Sequence, residues 1–159
     1  MPISLQIDEP YQPFVKPELI ETAVTTALEF GAQPATALVT VVITGTEQVR
    51  ELNQHYRGFD APTDVLSFEN NPDPDFPAAP TDEESVYLGD VIIAYPVAAA
   101  QALAAQHPPA DEVVLLTVHG VLHLLGFDHD TAERKAAMWQ AQGQIMTGLG
   151  LGHIQPTET

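Results

Sequence analysis

The sequence predicts one domain that mixes helices with short strands and buries a single helix at its centre. Segments rich in β-branched residues alternate with segments of helical periodicity. The helical segment from Val113 to Leu122 is apolar on every side, which is typical of a central buried helix. A chain of 159 residues is long enough for one domain with its own core and too short for two ordinary ones. We therefore treat residues 1–159 as a single domain.

The first half of the chain is predicted to alternate strands and helices. Pro17 suits the first position of a helix and Gly31 suits its end. Thr44 followed by Glu47 resembles a capping box, which would open a second helix. The predicted elements are a strand at 3–7, a helix at 17–30, a strand at 36–44 and a helix from 44 to about 56.

The second half is predicted to contain two strands and three helices. Gly89 and Asp90 inside the second strand suggest a bulge or a close approach of the backbone. Residues 70–85 are acidic and proline-rich, so we expect a mobile loop, and we expect residues 149–159 to form a frayed tail. The elements are strands at 65–70 and 86–95 and helices at 96–106, from about 109, and from Asp130, capped with Glu133, to about 147.

The charge of the chain is strongly acidic. Five Lys and Arg residues stand against 22 Asp and Glu residues, a formal net charge of −17. Such a field repels polyanions and argues against unaided, non-specific binding to nucleic acid.

Cysteine is absent, which excludes disulfides and thiolate metal ligands and fits a reducing compartment. The N-terminal segment lacks the pattern of a signal peptide, and the longest apolar stretch, about fifteen residues, is short for a membrane span. We expect a soluble cytoplasmic protein that does not bind membranes.

Three histidines have the spacing of metal ligands. His119 and His123 lie four residues apart on one face of the central helix, and Gly126 can end that helix in the left-handed conformation. His129 could then approach the same ion, leaving a fourth position open, as in catalytic zinc sites. A pair of histidines at this spacing is more often structural, but the glycine and the third histidine reverse that expectation. We predict one zinc ion per chain, with nickel, copper and iron as chemical alternatives.

The spacing HGVLHLLGFDH matches the metzincin pattern HExxHxxGxxH except at Gly120, where those proteases carry the glutamate that acts as general base. Asp128 beside the third histidine could orient a histidine or accept a proton. It could equally be a turn carboxylate that accepts from the backbone. The remaining histidines, His55, His107 and His153, are expected at the surface.

The segments NQHYRGFDAPTDVLSF, YLGDVIIA and HGVLHLLGFDHD, which follow one another in this order along the chain, resemble the bacterial YbeY endoribonuclease family, also called rRNA maturation factors. The resemblance covers about residues 3 to 148. It implies a zincin-like α+β fold, in which a small mixed β-sheet packs with about five helices, and a zinc ion bound by the three histidines. It also implies single-strand-specific cleavage in the maturation of the small-subunit rRNA 3′ end and in ribosome quality control. The substrate would be ribosomal RNA, and the small ribosomal subunit or a basic ribosomal protein would be the partner.

The family's conserved arginine corresponds to Arg57, one of five cations in the chain. A guanidinium group forks onto a phosphate, so Arg57 could hold the scissile phosphate beside the metal. It could instead be a surface residue paired with Asp60 or Glu51. Whether water or the RNA 2′-hydroxyl attacks the phosphate stays open.

Two other functions remain open on the sequence. The metzincin-like spacing allows a zinc peptidase or another hydrolase of small substrates, although the missing glutamate counts against it. The acidic charge allows a ribosome assembly factor that acts by binding and does not cleave.

Overall fold

A computed structural model describes residues 3–34, 36–70 and 86–155. Ten elements follow one another along these residues. They are β1 (Ile3–Ile7), a 3-10 helix (Glu9–Phe14), α1 (Pro17–Phe30), β2 (Ala37–Thr44), α2 (Thr46–Arg57), β3 (Val65–Glu69), β4 (Val86–Ala94), α3 (Tyr95–Ala105), α4 (Pro109–Leu124) and α5 (Ala132–Gly148). Apart from Asn70, the predicted loop at 70–85 lies outside the described residues.

The strands form one mixed sheet in the order β1-β2-β4-β3. β1 pairs with β2 and β2 with β4 in parallel, whereas β3 pairs with β4 antiparallel. The register shifts by one residue between Leu38 and Val39, opposite Gly89, whose φ is +144°. A side chain at Gly89 would collide with the carbonyl of Phe68. Both features expected at this glycine, the bulge and the close backbone approach, are therefore present. The mixed α+β fold is confirmed.

Helix α4 is the centre of the molecule. It packs against α1, α3 and α5 and against β3 and β4. Eleven of its residues are buried, including Val118, Val121 and Leu122 at 0% exposure. Helix α2 covers the other face of the sheet, where Val49 packs with Leu66 and Ile92. Edge strand β3 therefore runs between the two helical layers.

A buried chain of polar side chains fastens β3 to α3 and α4. Glu112 is fully buried and lies 2.6 Å from Nε2 of His107. With its amide oriented to satisfy both neighbours, Gln101 donates to Glu112 (3.1 Å) and to Asp64 (3.3 Å). Asp64 also accepts from the N–H of Val65 at 2.8 Å. The expectation that His107 is a surface residue was wrong, because it is the partner of a buried carboxylate.

The predicted helix caps differ in detail from those observed. Gly45, and not Thr44, is the N-cap of α2, because the Thr44 hydroxyl donates to Asp8 at 2.6 Å. At α5 the cap is Thr131, whose hydroxyl oxygen accepts from the N–H of Arg134 at 3.1 Å. Long-range partners and a better-placed hydroxyl explain both shifts.

Residues beyond α5 pack against the core, contrary to the prediction of a frayed tail. Leu149 and Leu151 pack against the core, and Ile154 is only 5% exposed. The prediction of fraying from residue 149 was therefore wrong up to residue 155, and residues 156–159 lie outside the described part. No described helix has both the length and the apolar character needed to cross a membrane.

Candidate metal centre and adjoining cleft

The three predicted histidines come together at the C-terminal end of α4. Their candidate ligand atoms all lie within 4.8 Å of one another, and the Nε2 atoms of His119 and His123 are 3.1 Å apart. Gly126 adopts a positive φ of 99° and its N–H donates to the His123 carbonyl, so the chain turns back and presents His129 to the helix. The structure thus brings together all three residues that the spacing singled out.

Hydrogen bonds made by Nδ1 fix the ring orientations of the two histidines on α4. Nδ1 of His119 donates to Oε1 of Gln142, and Nδ1 of His123 donates to the Phe127 carbonyl, both at 3.0 Å. With the proton on Nδ1, both Nε2 atoms carry lone pairs that point at each other, which is unfavourable unless a cation lies between them. Tetrahedral zinc has Zn–N distances of about 2.0–2.1 Å, which puts its ligand nitrogens about 3.3 Å apart. The donor set therefore fits a metal such as zinc.

Burial keeps these imidazoles neutral. Desolvation, together with the neighbouring His123, lowers the pKa of His119 from 6.5 to about 4. Desolvation and the nearby His129 also lower the pKa of His123, while the carboxylate of Asp128 opposes this shift. Neutral imidazole is the form that binds metals, so the site is ready to accept an ion at neutral pH.

Side chains of helix α5 pack beside the histidines. The indole of Trp139 lies 5.7 Å from the His119 ring and 5.8 Å from the His129 ring, measured between centroids. Nζ of Lys135 lies 5.9 Å from the same indole. Gln142, on the same helix, is 2% exposed. Sequence reasoning missed Gln142 and Trp139, although a polar residue in the apolar stripe of α5 was a signal for the first.

A cleft of about 820 Å³ opens beside the histidines. Its walls come from the end of α2, the edge strand β3 and the loop between α4 and α5. Of the residues that the structure describes, two arginines, Arg57 and Arg134, and three carboxylates, Asp64, Glu69 and Asp128, line it.

Arg57 is the last residue of α2 and reaches across the edge of β3. Its Nη2 donates to the carbonyl of Ser67 at 2.5 Å, and its guanidinium carbon lies 5.5 Å from the centre of the Phe68 ring. Its charge contributes to lowering the pKa of His123. The alternative pairing with Asp60 is not seen, because Arg50 binds that carboxylate at 2.6 Å. The structure therefore places Arg57 in the cleft with the histidines.

Asp128 lines the cleft in the loop between α4 and α5. Its Oδ1 accepts from the N–H of His129 at 2.7 Å, which is the backbone contact expected of a turn carboxylate. Its charge also opposes the lowering of the pKa of His123. Asp128 thus stabilises the turn that presents the third histidine and acts electrostatically on the second.

Gly120 occupies the position of the missing glutamate and faces the sheet. A Cβ at this position would lie 2.5 Å from Cγ1 of Val91, and the hydroxyl of Ser67 donates to the Gly120 carbonyl at 3.2 Å. The contact between α4 and the sheet leaves no room for a side chain there. A general base of the metzincin type is excluded at this position.

A mixed four-stranded sheet, packed on a helix that carries two of three clustered imidazoles, defines an α+β protein with a candidate three-histidine metal centre. The family model described as Endoribonuclease YbeY matches residues 7–150. A relative from Chloroflexus aurantiacus named Endoribonuclease YbeY is 43% identical over 151 residues, covering 94% of this chain and 96% of its own length. A relative of the same name from Dehalococcoides mccartyi is 40% identical over 154 residues, covering 92% and 88%. The chain belongs to the YbeY endoribonuclease family.

A solved structure has the same fold. It is the solution structure of a Thermotoga maritima protein, which aligns with a TM-score of 0.53 at 21% identity and covers 98% of this chain and 99% of its own. At this identity the likeness concerns the fold alone.

Proposed function

We propose that this protein is a zinc-dependent endoribonuclease that cleaves single-stranded RNA. Its substrate would be ribosomal RNA, at the 3′ end of the small-subunit rRNA and during ribosome quality control, in the cytoplasm. The observation that carries the proposal is that three clustered imidazoles and Arg57 line one cleft of a YbeY family member. His119, His123 and His129 would hold one zinc ion.

The chain's own residues have distinct parts in this proposal. Arg57 binds a non-bridging oxygen of the scissile phosphate through the N–H groups not used by Ser67, and stabilises the charge that develops there. Asp128 stabilises the turn before His129 through a backbone hydrogen bond, and its charge opposes the lowering of the pKa of His123. When bound, zinc supplies Lewis acidity, which polarises a phosphate oxygen and makes a water molecule more acidic. The RNA products distinguish the attacking group: a 2′,3′-cyclic phosphate means attack by the 2′-hydroxyl, whereas a 5′-phosphate with a 3′-hydroxyl means attack by water.

The test combines metal analysis with RNA cleavage. We expect about one zinc per wild-type chain, loss of most of it in H119A/H123A, and retention in the control H153A, since His153 is exposed and lies outside the cluster. Near-stoichiometric zinc in the double variant would contradict the site. Cleavage should depend on the same metal.

Arg57 is tested separately from the metal. R57A should keep its zinc and its fold and lose most RNA cleavage, and R57K should recover little, because an ammonium cannot replace a planar fork. The matched control is R50A on the same helix, since Arg50 is engaged by Glu47 and Asp60. Equal cleavage by R57A and R50A at saturating RNA would rule out the phosphate role.

The net charge of −17 supports a second candidate, a ribosome assembly factor that acts by binding. In that case a basic ribosomal protein or the small subunit would supply the attraction, and cleavage would not be needed. Equal rRNA maturation by wild type and by zinc-free H123A would favour this second candidate. A zinc peptidase is disfavoured, because the Gly120 position has no room for its base.

A further inference from the structure

An exposed aromatic cluster borders the cleft on the side of α2. The side chains of Tyr56 and Phe59 are 62% and 67% exposed, and the ring of Tyr56 lies 5.3 Å from that of Phe68. Phe59 and Phe68 line the cleft that contains the histidines. We call Tyr56, Phe59 and Phe68 the aromatic rim.

The turn at the end of α2 exposes part of the aromatic rim. α2 ends at Arg57, and Gly58 takes a left-handed conformation with φ of 76°. The N–H groups of Gly58 and Phe59 then close the helix onto the carbonyls of Gln54 and Asn53. This turn projects Phe59 outward instead of returning it to the core. Arg57 lies between the aromatic residues in sequence and over the Phe68 ring in space.

Isolated exposed apolar side chains are normal and need no explanation. The rim differs because it is aromatic, continuous with the cleft, and combined with a guanidinium group. Aromatic rings beside cations are the surface on which unpaired nucleotide bases stack. Stacking of this kind does not require a positive protein, so it also suits a chain whose net charge is −17.

We propose that the aromatic rim stacks unpaired bases of the RNA strand whose phosphate Arg57 binds. The inference rests on the proposed function and extends it to how the substrate is selected. Bases of a duplex are stacked on their neighbours and cannot offer a face to Tyr56 or Phe59. The rim therefore selects single strands by shape and stacking, with little dependence on sequence.

The experiment measures binding apart from cleavage. Zinc-loaded wild type, Y56A, F59A and F59L are titrated with a single-stranded 2′-O-methyl RNA oligonucleotide, and the anisotropy of a terminal dye is followed. The 2′-O-methyl group prevents attack by the 2′-hydroxyl, and gel analysis after each titration checks that water has not cleaved the strand. The control is F14A, because Phe14 is 59% exposed and stacks on Tyr95, near the opposite end of α4. Stacking of a base on a ring is worth about 1–3 kcal/mol, so Kd should rise about 5- to 150-fold in Y56A or F59A. F59L should lose nearly as much, since it keeps apolar bulk without a ring.

A second titration uses oligonucleotides in which single nucleotides lack their base. Removing the base that stacks on Phe59 should weaken binding to wild type and leave the affinity of F59A unchanged. If the missing base weakens both proteins equally at every position, or if F59A binds like F14A, the rim does not stack bases. A change of oligomeric state in F59A with unchanged RNA affinity would instead make the rim a protein interface and overturn the proposal. Wild-type protein that binds through the rim but cleaves no RNA would refute the nuclease and leave the rim standing.

Discussion

The contact of Gly120 with the sheet can be tested with a pair of glycine-to-alanine substitutions. Gly120 and Gly143 both lie inside helices, α4 and α5, so alanine gains the same helix propensity at each, about 1 kcal/mol. A Cβ at Gly143 meets no heavy atom within 4 Å. At Gly120 it would lie 2.5 Å and 3.0 Å from the two methyl carbons of Val91 and 3.2 Å from the Ser67 hydroxyl.

The magnitudes separate the two variants. Overpacking costs about 1–3 kcal/mol, so G120A should change the free energy of unfolding by between zero and about −2 kcal/mol after the propensity gain. G143A should stabilise by about 1 kcal/mol. In V91A, which removes the two methyl groups, the cost of alanine at 120 should fall by about 1 kcal/mol or more. Because α4 also carries His119, zinc affinity should fall in G120A and not in G143A.

The assay is urea unfolding of the zinc-loaded proteins, with Tm as a second measure at about 2–4 °C per kcal/mol for a chain of this size. G120A that gains as much stability as G143A would refute the close approach of helix and sheet. Equal effects of G120A in wild type and V91A would place the strain elsewhere.

Three further predictions concern the metal centre. Q142L removes the acceptor for Nδ1 of His119 and should raise the zinc Kd about 10- to 100-fold in chelator competition, whereas Q142E keeps an acceptor and should bind near wild type. In metal-free protein, His119 should leave the free energy of unfolding unchanged above about pH 6.5 and lower it by up to about 3 kcal/mol as pH falls towards 4, because the unfolded state binds the proton first. The free energy of unfolding of metal-free H119A should depend less steeply on pH. A pH dependence equal to that of wild type would contradict the effect of burial. Among the described residues, two arginines and three carboxylates line the cleft and give it a formal charge of −1, which a divalent ion changes to +1. Chelation should therefore weaken binding of uncleavable RNA, and equal binding with and without metal would contradict this.

The metal centre could be predicted from the sequence because its geometry is local. The four-residue spacing of His119 and His123 and the glycine before His129 follow from helix periodicity and a single left-handed residue. The burial of α4 follows from its composition. The resemblance of three short segments to a family supplied the fold and the placing of Arg57 near the metal.

Features that depend on distant parts of the chain could not be predicted. Thr44 is sequestered by Asp8, thirty-six residues earlier, so the apparent capping box was misleading. Gln142 reaches His119 from another helix, twenty-three residues later. The 3-10 helix at Glu9–Phe14 contains two prolines, Pro10 and Pro13, which hide any helical pattern. The pairing of His107 with Glu112 is a different case: the two residues are only five apart, but their spacing does not indicate that the carboxylate is buried.

Trp139 gives this molecule an optical signal of its own. It is the single tryptophan of the chain, and its indole lies against two of the three candidate ligands. Protonation of those imidazoles, or their engagement by an ion, changes the electric field at the indole directly. The intrinsic fluorescence of the unlabelled protein should therefore follow filling of the site during a titration, without a dye or a competing chelator.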